Sequence, residues 1–235
     1  MDAYAAAGTK IGDFELTGNI TALSDYVSRG VSNSDHNPVL QGTATMTHAP
    51  SGLYLTLFGS SIKFTPTDTA PDMELNLSGG WSRELSDITL DLGVIHYFYP
   101  GGDRALKFYY DEFYLGLGGA IEKLQLNGKY SYSPSFGGSV LGSSASYLEG
   151  SVAHPLPYEM TLTAHYGLSF GAYFASAEAN DVDHYSDFSL GLAKEFFGLN
   201  ASLTWNTTDN RAKEWQGALR SLARDQVVLA VGKDF

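Results

Sequence analysis

Glu159-Met160-Thr161-Leu162-Thr163-Ala164-His165-Tyr166-Gly167-Leu168-Ser169-Phe170 is the stretch whose reading decides the fold. Met160, Leu162, Ala164, Tyr166, Leu168 and Phe170 fall on every second position, and Glu159, Thr161, Thr163, His165, Gly167 and Ser169 fill the gaps. Successive side chains of an extended strand point to opposite faces, so this segment has one apolar face and one polar or small one. The same alternation runs through Phe14, Leu16, Gly18, Ile20, Ala22 and through Met73, Leu75, Leu77, Gly79, Trp81. It returns at Ile88–Val94, Phe113–Leu117, Leu124–Tyr132, Phe188–Leu192 and Leu199–Trp205, and more loosely near 38–48, 53–64 and 143–154, where Thr, Ser and Gly blur it. The pattern predicts about twelve strands of roughly ten to thirteen residues, an all-β chain.

The connections alternate in length. Short ones fall at 49–52, 85–87, 121–123, 155–157 and 197–198, and longer polar ones at 30–37, 65–71, 100–108, 133–142, 171–184 and 206–225. A transmembrane antiparallel up-and-down β-barrel sorts its connections this way, with tight periplasmic turns at one end and extended extracellular loops at the other. Its longest uninterrupted apolar run, Val227–Val231, is far short of the ~20 residues of a spanning helix. Strands in hydrocarbon must close on themselves, because an open edge would leave backbone N–H and C=O groups unpaired. Residues 1–13 are expected as a periplasmic N-terminal segment and 14–235 as a single outer-membrane barrel domain. Aromatic residues near strand ends, among them Trp81, Tyr97-Phe98-Tyr99, Phe108-Tyr109-Tyr110, Tyr173-Phe174 and Phe196-Phe197, read as girdles at the two membrane interfaces.

Composition narrows the function. With no cysteine in 235 residues there is no disulfide scaffold, zinc knuckle or thiol nucleophile, and a net charge of −12 argues against nucleic acid as a partner. Gly116-Leu117-Gly118-Gly119 follows a strand but has Ile121 at the third glycine of a dinucleotide fingerprint. His96 is the clearest outward-facing histidine, yet no serine stands out beside it as a nucleophile, so no catalytic residue is assigned and the chain is read as not an enzyme. Asn180-Asp181-Val182-Asp183-His184 has the composition of a hard-cation loop without its spaced ligands. No metal or cofactor is assigned.

Turning the polar face inward places Asp25, Arg29, Glu74, Asp91, Tyr97, Glu112, Tyr114, Lys129, Tyr147, Glu149, His165 and Asp187 on the lumen wall, sparing the lipid side of about 2 to 4 kcal/mol per midplane charge. Twelve strands enclose a narrow pore. Asp25 and Arg29, four residues apart on one strand face, would lie about 13 Å apart, and Arg29 is expected to meet Glu112 instead. The pore-lining acids outnumber Arg29 and Lys129, which predicts weak cation preference. Large interior rings at Tyr54, Phe58, Tyr97 and Tyr114 would close the pore if they met at one level. Lys213–Arg224 carries Trp215, Leu219 and Leu222 at helical spacing and reads as a short helix that either decorates the rim or plugs the mouth. Arg104, Lys107, Arg211, Lys213, Arg220 and Arg224 crowd the loops, where lipopolysaccharide phosphates are one set of partners.

The chain ends Gln226-Val227-Val228-Leu229-Ala230-Val231-Gly232-Lys233-Asp234-Phe235, an alternating strand closed by an aromatic residue. It resembles the C-terminal signal through which outer-membrane proteins engage their assembly machinery, which makes Phe235 the candidate assembly residue. Asn19–Gly42, read as N-I-T-A-L-S-D-Y-V-S-R-G-V-S-N-S-D-H-N-P-V-L-Q-G, resembles the opening signature of the TorF-type porins, a proteobacterial family formerly of unknown function. Tyr97-Phe98-Tyr99-Pro100-Gly101 and Asp111-Glu112-Phe113-Tyr114-Leu115-Gly116 are similar to that family's next two blocks, and the resemblance spans about residues 18–132. It implies a barrel in the outer membrane of a Gram-negative cell. Met1-Asp2-Ala3 lacks the basic and apolar parts of an export signal, so the resemblance implies a start downstream of a removed signal. Two functions follow as expectations: a porin-like channel for passive diffusion of ions or small polar solutes, and a non-conducting barrel with a structural, adhesive or partner-binding role. A soluble, lipocalin-like carrier would need the opposite orientation of the two faces.

Overall fold

Every alternating stretch becomes a strand in the computed structural model, which describes residues 8–63, 70–102, 107–138, 140, 142–175 and 182–235. The wall strands are β1 (Phe14–Leu23), β2 (Val39–His48), β3 (Leu53–Ser61), β4 (Met73–Leu85), β5 (Ile88–Phe98) and β6 (Tyr110–Ile121). They continue as β7 (Leu124–Phe136), β8 (Ser143–Leu156), β9 (Met160–Phe170), β10 (His184–Phe196), β11 (Leu199–Thr208) and β12 (Gln226–Asp234). Each pairs antiparallel with its sequence neighbours, and β1 also pairs with β12, so the twelve-stranded sheet closes into a barrel. The blurred segments near 38–48, 53–64 and 143–154 are β2, β3 and β8. Around the ring the register accumulates a stagger of roughly 16 residues, the shear that twelve strands tilted by about 40° require.

The two faces are inverted relative to a water-soluble protein. Leu57 and Leu203 are 54% and 53% exposed on the outer wall, whereas Ser131, Ser133 and Ser169 on the inner wall are at most 1% exposed. A water-soluble protein would not leave so many large apolar side chains uncovered. Phe98, Tyr109, Tyr132, Tyr166 and Trp205 face out, as do Phe14, Tyr158, Phe196, Phe197 and Phe235. The expected girdle is only partly there, because Tyr97, Tyr99, Tyr110 and Tyr185 line the interior cavity and Phe174 is buried. The reason is the strand period itself: in Tyr97-Phe98-Tyr99 only the middle ring can share the outward face.

Residues 9–11, inside the expected N-terminal segment, form a short strand against Phe14–Leu16. It occupies the edge of β1 just beyond the end of β12, where Phe235 exchanges backbone hydrogen bonds with Gly18 (2.8 and 2.9 Å). At the opposite, long-loop end, the connections fold inward. Val27–Ser28 and Val31–Ser32 form a miniature hairpin with Arg29 and Gly30 at its tip, both at positive φ. A Cβ at Gly30 would press on Thr208 and Asp187, so this tip approaches the inner wall as only glycine allows. The last long connection begins with α1 (Asn210–Gln216), whose first turn is capped by the Asp209 carboxylate accepting from the Ala212 N–H, and a 3₁₀ turn follows at Gly217–Ala223. Ala212, Leu222 and Ala223 join Val31, Ala145, Phe174 and Tyr185 in one buried cluster, with Phe136, Tyr173 and Trp215 packed on it. Of the two readings of Lys213–Arg224, this packing selects the mouth rather than the rim. Phe136 reaches the cluster because β7 carries a bulge between Ser133 and Phe136, and Pro134, which has no N–H for the ladder, sits in that bulge.

Candidate functional site

Tyrosine rings along the inner wall lie flat over glycines of neighbouring strands. A Cβ at Gly80 would strike the Tyr54 ring, one at Gly93 the Tyr114 ring, and one at Gly167 the Tyr147 hydroxyl. The hydroxyls of Tyr54 and Tyr114 meet, and Tyr54 also donates to Asp91 (2.7 Å). The two rings therefore do meet at one level, but they run along the wall over Gly80 and Gly93 rather than across the lumen. Lys129 pairs with Glu149 at 2.8 Å. His165 lies 3.2 Å from Asp187 and 3.8 Å from Glu149, while Tyr147 donates to Asp187 at 3.0 Å. Asp91, Tyr114, Lys129, Glu149, His165 and Asp187 thus form one polar belt.

Arg29 arrives at the belt from above. Its guanidinium is 2.6 Å from Glu112 and lies over the rings of Tyr147 (4.6 Å) and Phe136 (5.3 Å). The Glu112 partnership matches the sequence reading, but the route to it does not. Asp25 and Arg29 do not share a strand face, because β1 ends at Leu23 and the chain turns into the lumen. The turn is held by Asp25 itself, which is 5% exposed and accepts from the Ser32 and Ser34 hydroxyls (2.6 and 2.7 Å) and faces His36 Nδ1 at 2.8 Å. A carboxylate satisfied by its own loop competes with continuation of the strand.

Beneath the loops lies a cavity of about 580 Å³ bounded by Tyr26, Arg29, Glu74, Asn76, Tyr97 and Trp215 among others. Glu74 is 2% exposed and accepts from the Tyr26 hydroxyl (3.1 Å) and Asn76 Nδ2 (2.8 Å). Burial, reinforced by Glu74, pushes the Tyr26 and Tyr99 phenols well above their ordinary value, so both remain donors toward that carboxylate. Below the belt, cavities of about 230, 440 and 360 Å³ run toward the short-turn end. The first shares Asn127 and Ser151 with the second, and the second shares Gln125, Ala153 and Thr161 with the third, which makes one continuous void. The upper cavity shares no lining residue with these three. Its boundary with them is the level of Arg29–Glu112, Tyr147 and the Tyr54–Tyr114 contact.

Sequence reasoning missed Tyr26, Tyr99, Tyr110, Phe136, Tyr185 and Trp215 as cavity residues. The period-two relations of Tyr99 to Tyr97, of Tyr110 to Glu112 and Tyr114, and of Tyr185 to Asp187 could have shown three of them. His96 faces outward and pairs with Asp111 at 2.8 Å beside Tyr109. Asn180 and Asp181 of the suspected cation loop, and Arg104, lie outside the described residues.

A family model described as "Bacterial protein of unknown function (Gcw_chp)" matches residues 6–235. The chain belongs to the Gcw_chp family. That description does not carry the TorF name, so the TorF resemblance remains one of short motifs. No curated protein matches this Gcw_chp chain. Among solved structures it is similar to the KdgM porin, at 8% identity and TM-score 0.58 over 93% of this chain and 98% of that one. A KdgM porin in complex with disordered oligogalacturonate gives TM-score 0.57 at 8% identity, covering 94% of this chain and 98% of that one. At that identity the likeness is one of fold: the Gcw_chp chain is a closed, twelve-stranded, porin-like β-barrel.

Proposed function

We propose that this chain is an outer-membrane channel of narrow bore through which small polar solutes and ions, cations foremost, diffuse passively. The observation that carries the reading is the inversion of faces, exposed leucines outside and buried serines and carboxylates inside a closed ring. The void below the belt supports a water-filled path, and the Arg29–Glu112 level would be its constriction, where charged side chains discriminate among solutes. The wall residues Glu74, Asp91, Tyr97, Glu112, Tyr114, Lys129, Glu149, His165 and Asp187 are the proposed pore lining, joined from the loop by Asp25 and Arg29. The long loops would face outward toward lipopolysaccharide, the short turns and residues 1–13 toward the periplasm, and the strand ending at Phe235 would engage the assembly machinery. No catalytic role is proposed.

The inward-folded cluster around Phe174 and Trp215 favours a second reading, a barrel closed at its outer mouth that serves structure or partner binding. Purified protein in planar bilayers separates the two. Discrete conductance steps are expected for the channel. Silence in the wild type and equally in a variant with residues 209–225 replaced by a short glycine linker would leave the closed barrel standing.

A further inference from the structure

We propose that the cavity above the constriction is a binding site for a primary ammonium compound with a flat apolar body. The proposal deepens the channel reading by naming a solute class, and it draws on that reading only for how the solute arrives. At about 580 Å³ the space falls within the range of small-molecule sites, about 300 to 1,000 Å³. Its charge is not balanced. Arg29 is committed to Glu112 and held between two rings, while Glu74 has polar donors but no ion pair among the described residues.

A carboxylate buried this deeply with no directly paired cation is costly, since Arg29 acts on Glu74 only from beyond ion-pair distance, and a bound ammonium would supply the direct partner. Asn76 points the same way. Its Nδ2 is spent on Glu74, and its buried Oδ1 has no partner among the described residues. The one polar atom left open here is therefore an acceptor beside a carboxylate that already accepts from Tyr26, Asn76 and Tyr99, and together they ask for a cationic ligand with N–H donors. Around them stand aromatic faces, Tyr97 stacked on Tyr110 (4.5 Å, 14°) and Tyr26 tilted against Phe58. Such rings attract a cation through their quadrupole and bury a flat hydrocarbon surface at the same time. An acidic ligand would meet Glu74 instead.

The test uses the full chain in detergent, with Trp81→Phe and Trp205→Phe so that Trp215 on the cavity wall is the fluorescent reporter. Phenethylammonium, 2-phenylethanol and phenylacetate share a shape and differ in charge. Saturable quenching by phenethylammonium is expected, with 2-phenylethanol at least tenfold weaker and phenylacetate without effect. Glu74→Gln keeps the shape and should weaken phenethylammonium at least tenfold while leaving 2-phenylethanol within threefold. Asn76→Ala, which spares the carboxylate, should weaken it about threefold and covers the case in which Glu74→Gln fails to fold. Equal binding of phenylacetate, absence of saturable quenching, or an unchanged Kd in the variants would overturn the site. Conductance is measured separately, so a silent barrel that binds phenethylammonium sinks the channel alone, and a conducting barrel that does not discriminate sinks the site alone.

Discussion

Glycine is a packing residue on the inner wall. Tyr114 lies across Gly93 so closely that a single methyl there has nowhere to go, and overpacking of this kind costs about 1 to 3 kcal/mol. Gly93→Ala should lower the urea midpoint of refolded protein accordingly. Gly150→Ala, where a Cβ meets only Asn127 O at 3.8 Å, should not. Because the clash is with one ring, Gly93→Ala in a Tyr114→Ala background should be nearly free, a coupling that a double-mutant cycle reads directly. Additive effects would mean that the ring does not rest on the glycine. Arg29 presents the opposite case, a charge brought into the lumen to meet a charge. Arg29→Met strands Glu112, at 2% exposure, without its cation, and breaking a buried pair from one side costs about 3 to 5 kcal/mol. Glu112→Gln combined with Arg29→Met should recover much of that loss, again by urea titration. In bilayers the single Arg29→Met variant should show larger conductance steps if the guanidinium forms the proposed constriction.

At the scale of elements, the first and last long connections are fastened to each other through His36. Its Nδ1 faces Asp25 and its Nε2 faces the Ser221 carbonyl at 2.9 Å. The contact to Ser221 is the one that joins the two connections. A hydrogen bond contributes about 0.5 to 1.5 kcal/mol. His36→Ala should therefore raise the open population of the last connection about threefold or more, seen as faster tryptic cleavage after the exposed Arg220 and Arg224. Cleavage at the wild-type rate would show that α1 is held by the Trp215 cluster alone. None of this fastening was legible in the sequence, and the reason is physical. Wall strands repeat a two-residue rule that hydrophobicity alone reports, which is why β4, β5 and β9 could be read directly and why Glu74, Asp91 and Asp187 were placed on the inward face. Loop residues obey no such period. Tyr26, Phe174 and Trp215 come together only because three connections turn inward at the same end, and that depends on the barrel first being closed. Arg29 was matched to Glu112 correctly while its path was not, because charge complementarity is written in composition and the Asp25-centred turn is not.

For the whole molecule, the balance of charge inside the barrel decides which solutes the proposed channel would pass. Asp91, Glu149 and Asp187 stand at the belt, and Glu74 and Glu112 above it, against Arg29 and Lys129. Lys129 is spent on Glu149 and Arg29 on Glu112. What remains uncompensated is negative, and a lumen of one sign concentrates counter-ions at its narrow level. The reversal potential in a potassium chloride gradient should accordingly fall on the cation-selective side. Asp91→Asn, at the rim of the cavity below the constriction, should reduce that selectivity without changing the fold, since an amide still accepts from Tyr54. Lys129→Met should increase it. A lumen whose spare charge is negative should repel a polyanion, and an added oligocarboxylate should leave the current through this protein unblocked at concentrations where a cationic amine reduces it. Anion selectivity, or block by the oligocarboxylate, would mean that Arg29 and Lys129 govern the bore despite their pairing, and the proposed order of charges along the lumen would have to be reversed.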